Sequence, residues 1–428
     1  MRCLNNVETD TCAEMRIGMS NKIAVVGGGA AGMMAAVQAA RAGALVTLYE
    51  RNDRIGRKIL STGNGKCNFS NENMNPSFYH GSGRELISGI YGIFGVSETK
   101  RFFQELGMRI KTVNGYLYPA SGQAATVLDL FRYELARLSV DIHTEQQITA
   151  VKSNGSRLLV EAGHDSRLYD AVILTCGGAA APGTGSDGAG FQLARQLGHK
   201  IIPVVPALTA LRCLEDYYKQ VAGVRCDAKI TLYLDGIKCC EERGELQLTD
   251  YGISGIPVFQ ISRHAAYALR EQKRATVKIC FLPDLDESVC DKFWQERWER
   301  QSSQTMEMFL IGLVNKKINM LMLRLAGIKA TEIAENVSAS ARKKLQKLYH
   351  ALAVEIKGTN PFTQSQVSAG GVDCREVTEK LASKIVPGVY FAGEILDIDG
   401  ICGGYNLRWA FSGGSIAGRA AAAQDPLF

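Results

Sequence analysis

The sequence predicts an α/β protein with a Rossmann-like, dinucleotide-binding unit and inserted β-rich and helical parts. Three observations predict it. Near the N-terminus a β-branched run ends in a glycine fingerprint, then continues as helix, strand and acid. Near the C-terminus a second strand runs into a glycine-rich turn and a helix. Between them, strand-like runs give way to helical periodicity.

In the first element, Lys22-Ile23-Ala24-Val25-Val26 ends at Gly27-Gly28-Gly29-Ala30-Ala31-Gly32. A helix is predicted over 33–42, closed by Gly43, and the strand Leu45–Tyr49 ends on Glu50, 18 residues past the third fingerprint glycine. Gly27 permits a tight turn, Gly29 lets backbone approach a pyrophosphate, and Gly32 allows close helix–strand packing. The helix N-terminus offers free N–H groups, and Glu50 is placed to accept hydrogen bonds from a ribose.

The next stretch, Ser61-Thr62-Gly63-Asn64-Gly65-Lys66-Cys67-Asn68-Phe69-Ser70-Asn71, has some look of a P-loop or of a redox site. The P-loop reading fails on spacing, because Leu60 and Cys67 stand where glycine and Ser or Thr are required. The thiol-pair reading fails because no second cysteine is near. A turn or a cofactor loop remains. Gly63 and Gly65 would let backbone pass close to a ligand, and Asn64 and Asn68 offer donors and acceptors.

A second formal match, Gly183-Thr184-Gly185-Ser186-Asp187-Gly188, follows Ala179-Ala180-Ala181-Pro182 and not a strand. It is expected to be a loop capping a helix over 188–197, not a second nucleotide site. The nearby strand, 171–175, ends at Cys176-Gly177-Gly178, which with Ile148 is expected beside the cofactor.

In the middle of the chain, strand-like runs at 228–234, 246–248 and 275–281 precede a helical pattern over about 286–353. In the last element, Val389-Tyr390-Phe391-Ala392-Gly393-Glu394 leads through Asp397 to Gly403-Gly404-Tyr405-Asn406-Leu407 and a helix over 407–423.

The two end elements together resemble the two-part FAD site of flavoproteins related to glutathione reductase. More narrowly, Gly56-Arg57-Lys58-Ile59-Leu60, the 61–71 stretch, Gly252-Ile253-Ser254-Gly255 and Asp397-Ile398-Asp399-Gly400 through Leu407 resemble the BaiN-like (YhiN-like) flavoproteins, in that family's order over 22–420. The resemblance implies non-covalent FAD, with NADH or NADPH as a visiting donor. It also implies a layout of FAD-binding segments at 21–198 and 357–428, a β-rich insert at 199–285 and a helical insert at 286–356. Arg57, Lys58, Cys67, Glu394 and the 403–407 turn are implied to lie near the flavin.

Relatives in that family reduce carbon–carbon double bonds. One branch acts on 3-oxo-4,6-diene bile acids, and another makes dihydrouridine in ribosomal RNA. The expected reaction is therefore reduction of a double bond conjugated to a carbonyl, which needs a clamp on the carbonyl and a general acid. Tyr251, Tyr405 and Cys67 are the candidates for the acid. The family commonly has His where this chain has Asp250, and often Thr where it has Cys402, so this chain departs from a His acid at 250. An amine-oxidase reading, resting on a family label, has no aromatic cage to support it.

Bulk properties fit an ordinary globular enzyme. The 428 residues suit two or three domains, with 46% hydrophobic and 21% charged residues. A net charge of +6 neither requires nor excludes nucleic acid. Lys316, Lys317, Arg324, Lys329, Arg342, Lys343, Lys344 and Lys347 make the helical part basic, the feature an RNA partner would need. No run of 18 apolar residues occurs, and Met306–Ile328 is interrupted by Lys316-Lys317, so no membrane span is expected. Residues 1–20 are polar and are expected to be a flexible arm without a signal peptide, with Met1, Met15 and Met19 as possible starts. The 12 cysteines include no C-x-x-C, which argues for reduced thiols in a cytoplasm and against a metal site.

Overall fold

A computed structural model of the protein describes residues 20–423 apart from Asp286. The expected N-terminal arm, Ser20 excepted, lies outside the described residues, as do residues 424–428.

β1 (Lys22–Val26), α1 (Ala30–Arg41) and β2 (Leu45–Tyr49) follow one another as the fingerprint requires. They join β3 (Asp141–His143), β4 (Ala171–Leu174) and β5 (Val389–Phe391) in a parallel sheet of order β5-β4-β1-β2-β3. Ile23, Ala24, Val25, Ile173, Leu174 and Phe391 are fully buried, as expected for parallel strands covered on both faces. β5 comes from the far end of the chain, so the C-terminal segment completes the sheet.

α2 (Tyr405–Ala423) closes the unit by lying on α1. A Cβ on Gly414 would sit 2.4 Å from Ala31 O, and one on Gly418 2.4 Å from Ala35 O. The helices thus meet backbone to backbone, a contact that side chains would prop apart.

The inserted part is a closed six-stranded antiparallel barrel. Its strands, in order round the barrel, are Leu211–Cys213, Gly252–Ser254, Ile237–Leu248, Arg225–Leu234, Ala275–Cys280 and Leu352–Thr359. The helices Glu287–Arg300, Met306–Phe309, Lys316–Ala326 and Ala339–Ala351 occupy the interval before the last strand. That strand crosses the expected border at 356/357. It pairs with both Ala275–Cys280 and Leu211–Cys213, and without it the barrel would keep two open edges. One core serves barrel and helices, with Ile230, Val277 and Val354 packed among Phe309, Met322 and Tyr349.

Ile201–Ala207 and Val367–Val372 pair as a two-stranded ribbon between barrel and parallel sheet. The helix Ile256–Arg270 bridges the parts. Val258, Ile261 and Ala265 enter the barrel core, while Ala266 joins Val205, Ala207 and Val367 in a small core at the junction.

Candidate functional site

An open cavity of about 1280 Å³, partly continuous with solvent, runs along the C-terminal edge of the parallel sheet. That is where ligands bind in open α/β sheets. At one end the fingerprint turn forms its wall. Gly28 N donates to Glu50 Oε2 (2.9 Å), and Asn52 donates to Glu50 Oε1 from backbone and side chain (2.8 and 2.7 Å). The carboxylate is thus buried and held at the end of β2. No side chain caps α1, so its first N–H groups face the cavity.

The fingerprint glycines differ in what surrounds them. A Cβ on Gly32 would fall 1.9 Å from Gly27 O, so helix and turn touch there. A Cβ on Gly29 would meet nothing within 4 Å, because it points into open space. Such a cradle fits the diphosphate of a dinucleotide.

The middle of the cavity comes partly from the second glycine motif. Thr184, Gly185, Ser186 and Asp187 line the same cavity as the fingerprint. Asn52 Nδ2 donates to Thr184 O (3.1 Å), and Arg51 pairs with Asp187 (2.6 Å). The Ser186 hydroxyl is buried with no hydrogen-bond partner among the described residues. These residues, with Gln146, Gln147, Gln366, Val367, Ile398 and Trp409, were not expected at the site. The motif itself was the available signal, since its helix, Ala189–Gln196, starts beside β4.

Of the expected cofactor residues, Gly27 to Ala31, Glu50, Arg57, Lys58, Ile148, Cys176, Gly177, Glu394, Asn406 and Leu407 line the cavity. Lys58 Nζ pairs with Glu394 Oε2 (2.7 Å) and also donates to Ala180 O (3.2 Å). Asn406 brackets Gly400, accepting from its N–H and donating to its carbonyl, each at 2.8 Å. Burial pushes the Cys176 thiol up to about 12.

The other expected residues stand behind the wall and shape it. A Cβ on Gly178 would strike Ser368 Oγ, and one on Gly393 would strike Ala31. The amide of Asn68, oriented to satisfy its neighbours, donates to Ser70 O (2.8 Å) and accepts from Gly404 N (3.3 Å). It thereby ties the 61–71 stretch to the turn Gly403-Gly404. Asp397 accepts from Ser82 N (2.7 Å) through one oxygen, while the other has no partner among the described residues. Gly63, Asn64 and Gly65 are the exception and do not line the cavity: they form an exposed left-handed turn (φ 56°, 53° and 82°), and only Thr62 before them reaches it.

The three proton-donor candidates do not converge. Cys67 is fully buried in the core, where desolvation raises its thiol to about 11 against a lowering bond to Thr62. Tyr405 is a packed aromatic whose hydroxyl donates to Asn73 O (3.2 Å), and burial raises its pKa. Neither lines the cavity, because α2 begins by turning Tyr405 against Tyr79 and Phe78. Tyr251 does not line the cavity either; it lies on the barrel, half-buried, with Arg212 over its ring, and its hydroxyl accepts from Asn360 Nδ2 (2.9 Å).

A further polar cluster stands where the helix Ile256–Arg270 meets the loop leading to Asn406. Arg263 Nε bonds both oxygens of Asp399 (2.9 and 3.0 Å), and Cys402 N donates to Gln260 Oε1 (2.9 Å). The rings of His80 and His264 meet edge to face at 5.5 Å. Burial, then the charge of Arg263, lowers His80 to about 4, while burial raises Asp399 to about 6 against the pull of Arg263.

Residues 21–420 match the model of the family described as HI0933-like protein Rossmann domain. A 3-dehydro-bile acid Δ(4,6)-reductase of Clostridium scindens is 43% identical over 405 residues, 94% of this chain and 99% of that protein. A ribosomal RNA dihydrouridine synthase of Haemophilus influenzae is 28% identical over 91% of this chain and 95% of that protein. A solved flavocytochrome c3 fumarate reductase aligns over 95% of this chain and 79% of its own, at 15% identity and a TM-score of 0.48. With its fingerprint, split parallel sheet and inserted barrel, the chain belongs to the HI0933-like Rossmann-domain family.

Proposed function

We propose that the protein is an FAD-dependent ene-reductase that uses NADH or NADPH to saturate a double bond conjugated to a carbonyl. Its substrate in this reading is a 3-oxo-4,6-diene bile acid. The observation that carries the proposal is the 43% identity to the bile-acid reductase, which spans 99% of that relative. The cavity supports it, because one wall comes from each end of the chain, as a long dinucleotide requires.

FAD, when bound, supplies the hydride-transfer chemistry. Gly27 to Ala31 and the N-terminus of α1 would hold its diphosphate, Glu50 its ribose, and Asn406 and Leu407 its flavin end. Lys58 and Glu394 fix the wall between them. Of the three proton-donor candidates only Tyr251 keeps partial exposure. Because its oxygen accepts from Asn360, its own proton stays free to be given. Asn360 N bonds Ala210 O (2.9 Å) beside Thr209, whose N–H bonds Ser262 Oγ (3.3 Å) on the junction helix.

A ribosomal RNA substrate would need free cations on the helical insert. Arg342 is lost to that role, because it spends its guanidinium on Ala334 O, Glu335 O and Val337 O and on the face of Trp298, and Lys316 pairs at the surface with Glu307 (2.8 Å). Arg324, Lys329, Lys343, Lys344 and Lys347 are exposed, so the choice of a small substrate rests on the identity to the bile-acid reductase. Among the described residues no helix is long and apolar enough to cross a membrane, which fits work in the cytoplasm.

The test is a pair of half-reactions without oxygen. Purified protein should be yellow, lose its colour with NADH or NADPH, and regain it with a 3-oxo-4,6-diene bile acid. Reduced protein that stays colourless with the diene but reoxidises in air would overturn the assignment.

A further inference from the structure

Arg263 is a nearly buried cation with unused donors. Its side chain is 16% exposed, its Nε holds both oxygens of Asp399, and its guanidinium lies 5.0 Å from the centre of the Tyr267 ring. Among the described residues, neither terminal nitrogen has a hydrogen-bond partner. A guanidinium so largely enclosed normally spends most of its five N–H donors on the protein, so terminal groups left open at this junction can receive an oxygen.

Its position fits that role. Asp399 adjoins Ile398, which lines the cavity, and the loop from Asp399 is bracketed by Asn406, which also lines it. Ala266 on the same helix packs in the junction core with Val367, another lining residue. Burial holds His80 and His264, also at this junction, toward the neutral form, which leaves Arg263 and Arg84 as the cations that act there.

We infer that Arg263 binds the substrate's ketone oxygen through its terminal nitrogens, with Asp399 and Tyr267 fixing its plane. The inference rests on the ene-reductase reading and names the group that holds its substrate. Hydride addition to the β-carbon moves an electron pair onto the conjugated carbonyl oxygen, and the proton is then taken up at the α-carbon. The guanidinium would stabilise that oxygen as its charge grows.

The test measures anaerobic reoxidation of the reduced flavoprotein by the diene. Arg263→Gln should bleach with NAD(P)H as wild type does, keep its FAD, and lose on the order of 100-fold in the rate of reoxidation. Removing Arg263 strands the Asp399 charge, so the neutral pair Arg263→Gln/Asp399→Asn separates binding from packing. The double variant should stay as slow as Arg263→Gln; recovery to the wild-type rate would reduce Arg263 to a charge partner and overturn the inference. The loss should be equal for a 3-oxo-diene steroid with no side-chain carboxylate. A loss confined to the carboxylate-bearing substrate would overturn the assignment to the ketone. If wild type itself is not reoxidised by either diene, the ene-reductase reading fails; if wild type turns over and Arg263→Gln matches it, only the role of Arg263 fails.

Discussion

Lys58 Nζ lies 2.7 Å from Glu394 Oε2, joining the short helix Arg57–Ser61 to the turn after β5. The two residues come from opposite ends of the chain and both face the cavity. Glu394 also receives Ser368 N (2.8 Å) and Ser368 Oγ (3.0 Å) on its other oxygen, so one carboxylate anchors three segments. Glu394→Gln keeps the shape but weakens charge-assisted bonds, and should cost about 1.5–3 kcal/mol of stability and loosen FAD. Urea unfolding and flavin titration measure both effects. An unchanged urea midpoint together with unchanged FAD affinity would mean that the pair is ornamental.

The second and third fingerprint glycines, Gly29 and Gly32, should fail differently. Gly32→Ala forces a Cβ onto Gly27 O, so the variant should be poorly folded even without cofactor. Gly29→Ala meets only open space, so the apo-protein should melt like wild type while FAD binds at least tenfold more weakly. Equal melting temperatures for the two apo-variants would contradict this division of labour.

This contrast also marks what sequence can and cannot reveal. The fingerprint is contiguous, so spacing alone singled out Gly27, Gly29, Gly32 and Glu50, which the fold gathers at one turn. The junction cluster has no such signature. His80, Arg263 and Asp399 meet only because Asp399 pairs with His80 in a short antiparallel ladder and a distant helix docks on the same loop. Barrel closure is equally non-local, which is why the expected border at 356/357 divides the strand Leu352–Thr359. Cys67 and Tyr405 were in motifs next to the site, but no residue spacing reveals that their side chains turn inward.

The junction cluster should also make two opposed contributions to the pH dependence of stability. Asp399, raised from 3.8 to about 6 by burial, binds a proton in the folded state that the unfolded state has lost. Its contribution makes stability fall as pH rises from about 4 to 6. His80 does the reverse. Lowered from 6.5 to about 4, it stays neutral when folded while the unfolded residue is charged, so stability rises with pH over nearly the same window. Arg263, His264 and Arg84 all act on His80, and Arg263, Asp397 and Glu394 act on Asp399. The contributions of these two groups should therefore largely offset each other between pH 4 and 6.5. Asp399→Asn should expose the rising slope of His80, and His80→Asn the falling slope of Asp399. Parallel urea-unfolding profiles for all three proteins would show that neither group titrates as stated.

Ser186 offers a test of the cofactor site that leaves the protein's frame alone. Its hydroxyl is buried, lines the cavity and has no partner among the described residues, so the protein without cofactor gains nothing from it. A buried hydroxyl with no bond costs stability, and removing it relieves that cost. Ser186→Ala should therefore leave the apo-protein as stable as wild type, or slightly more so. If the hydroxyl bonds the dinucleotide, the same variant should bind FAD about 1–2 kcal/mol more weakly, a 5- to 30-fold rise in Kd. Opposite signs for apo-stability and cofactor affinity are the signature of a group kept for its ligand. A variant that loses apo-stability instead would place Ser186 among the packing residues, and the middle of the cavity would need another partner for the dinucleotide.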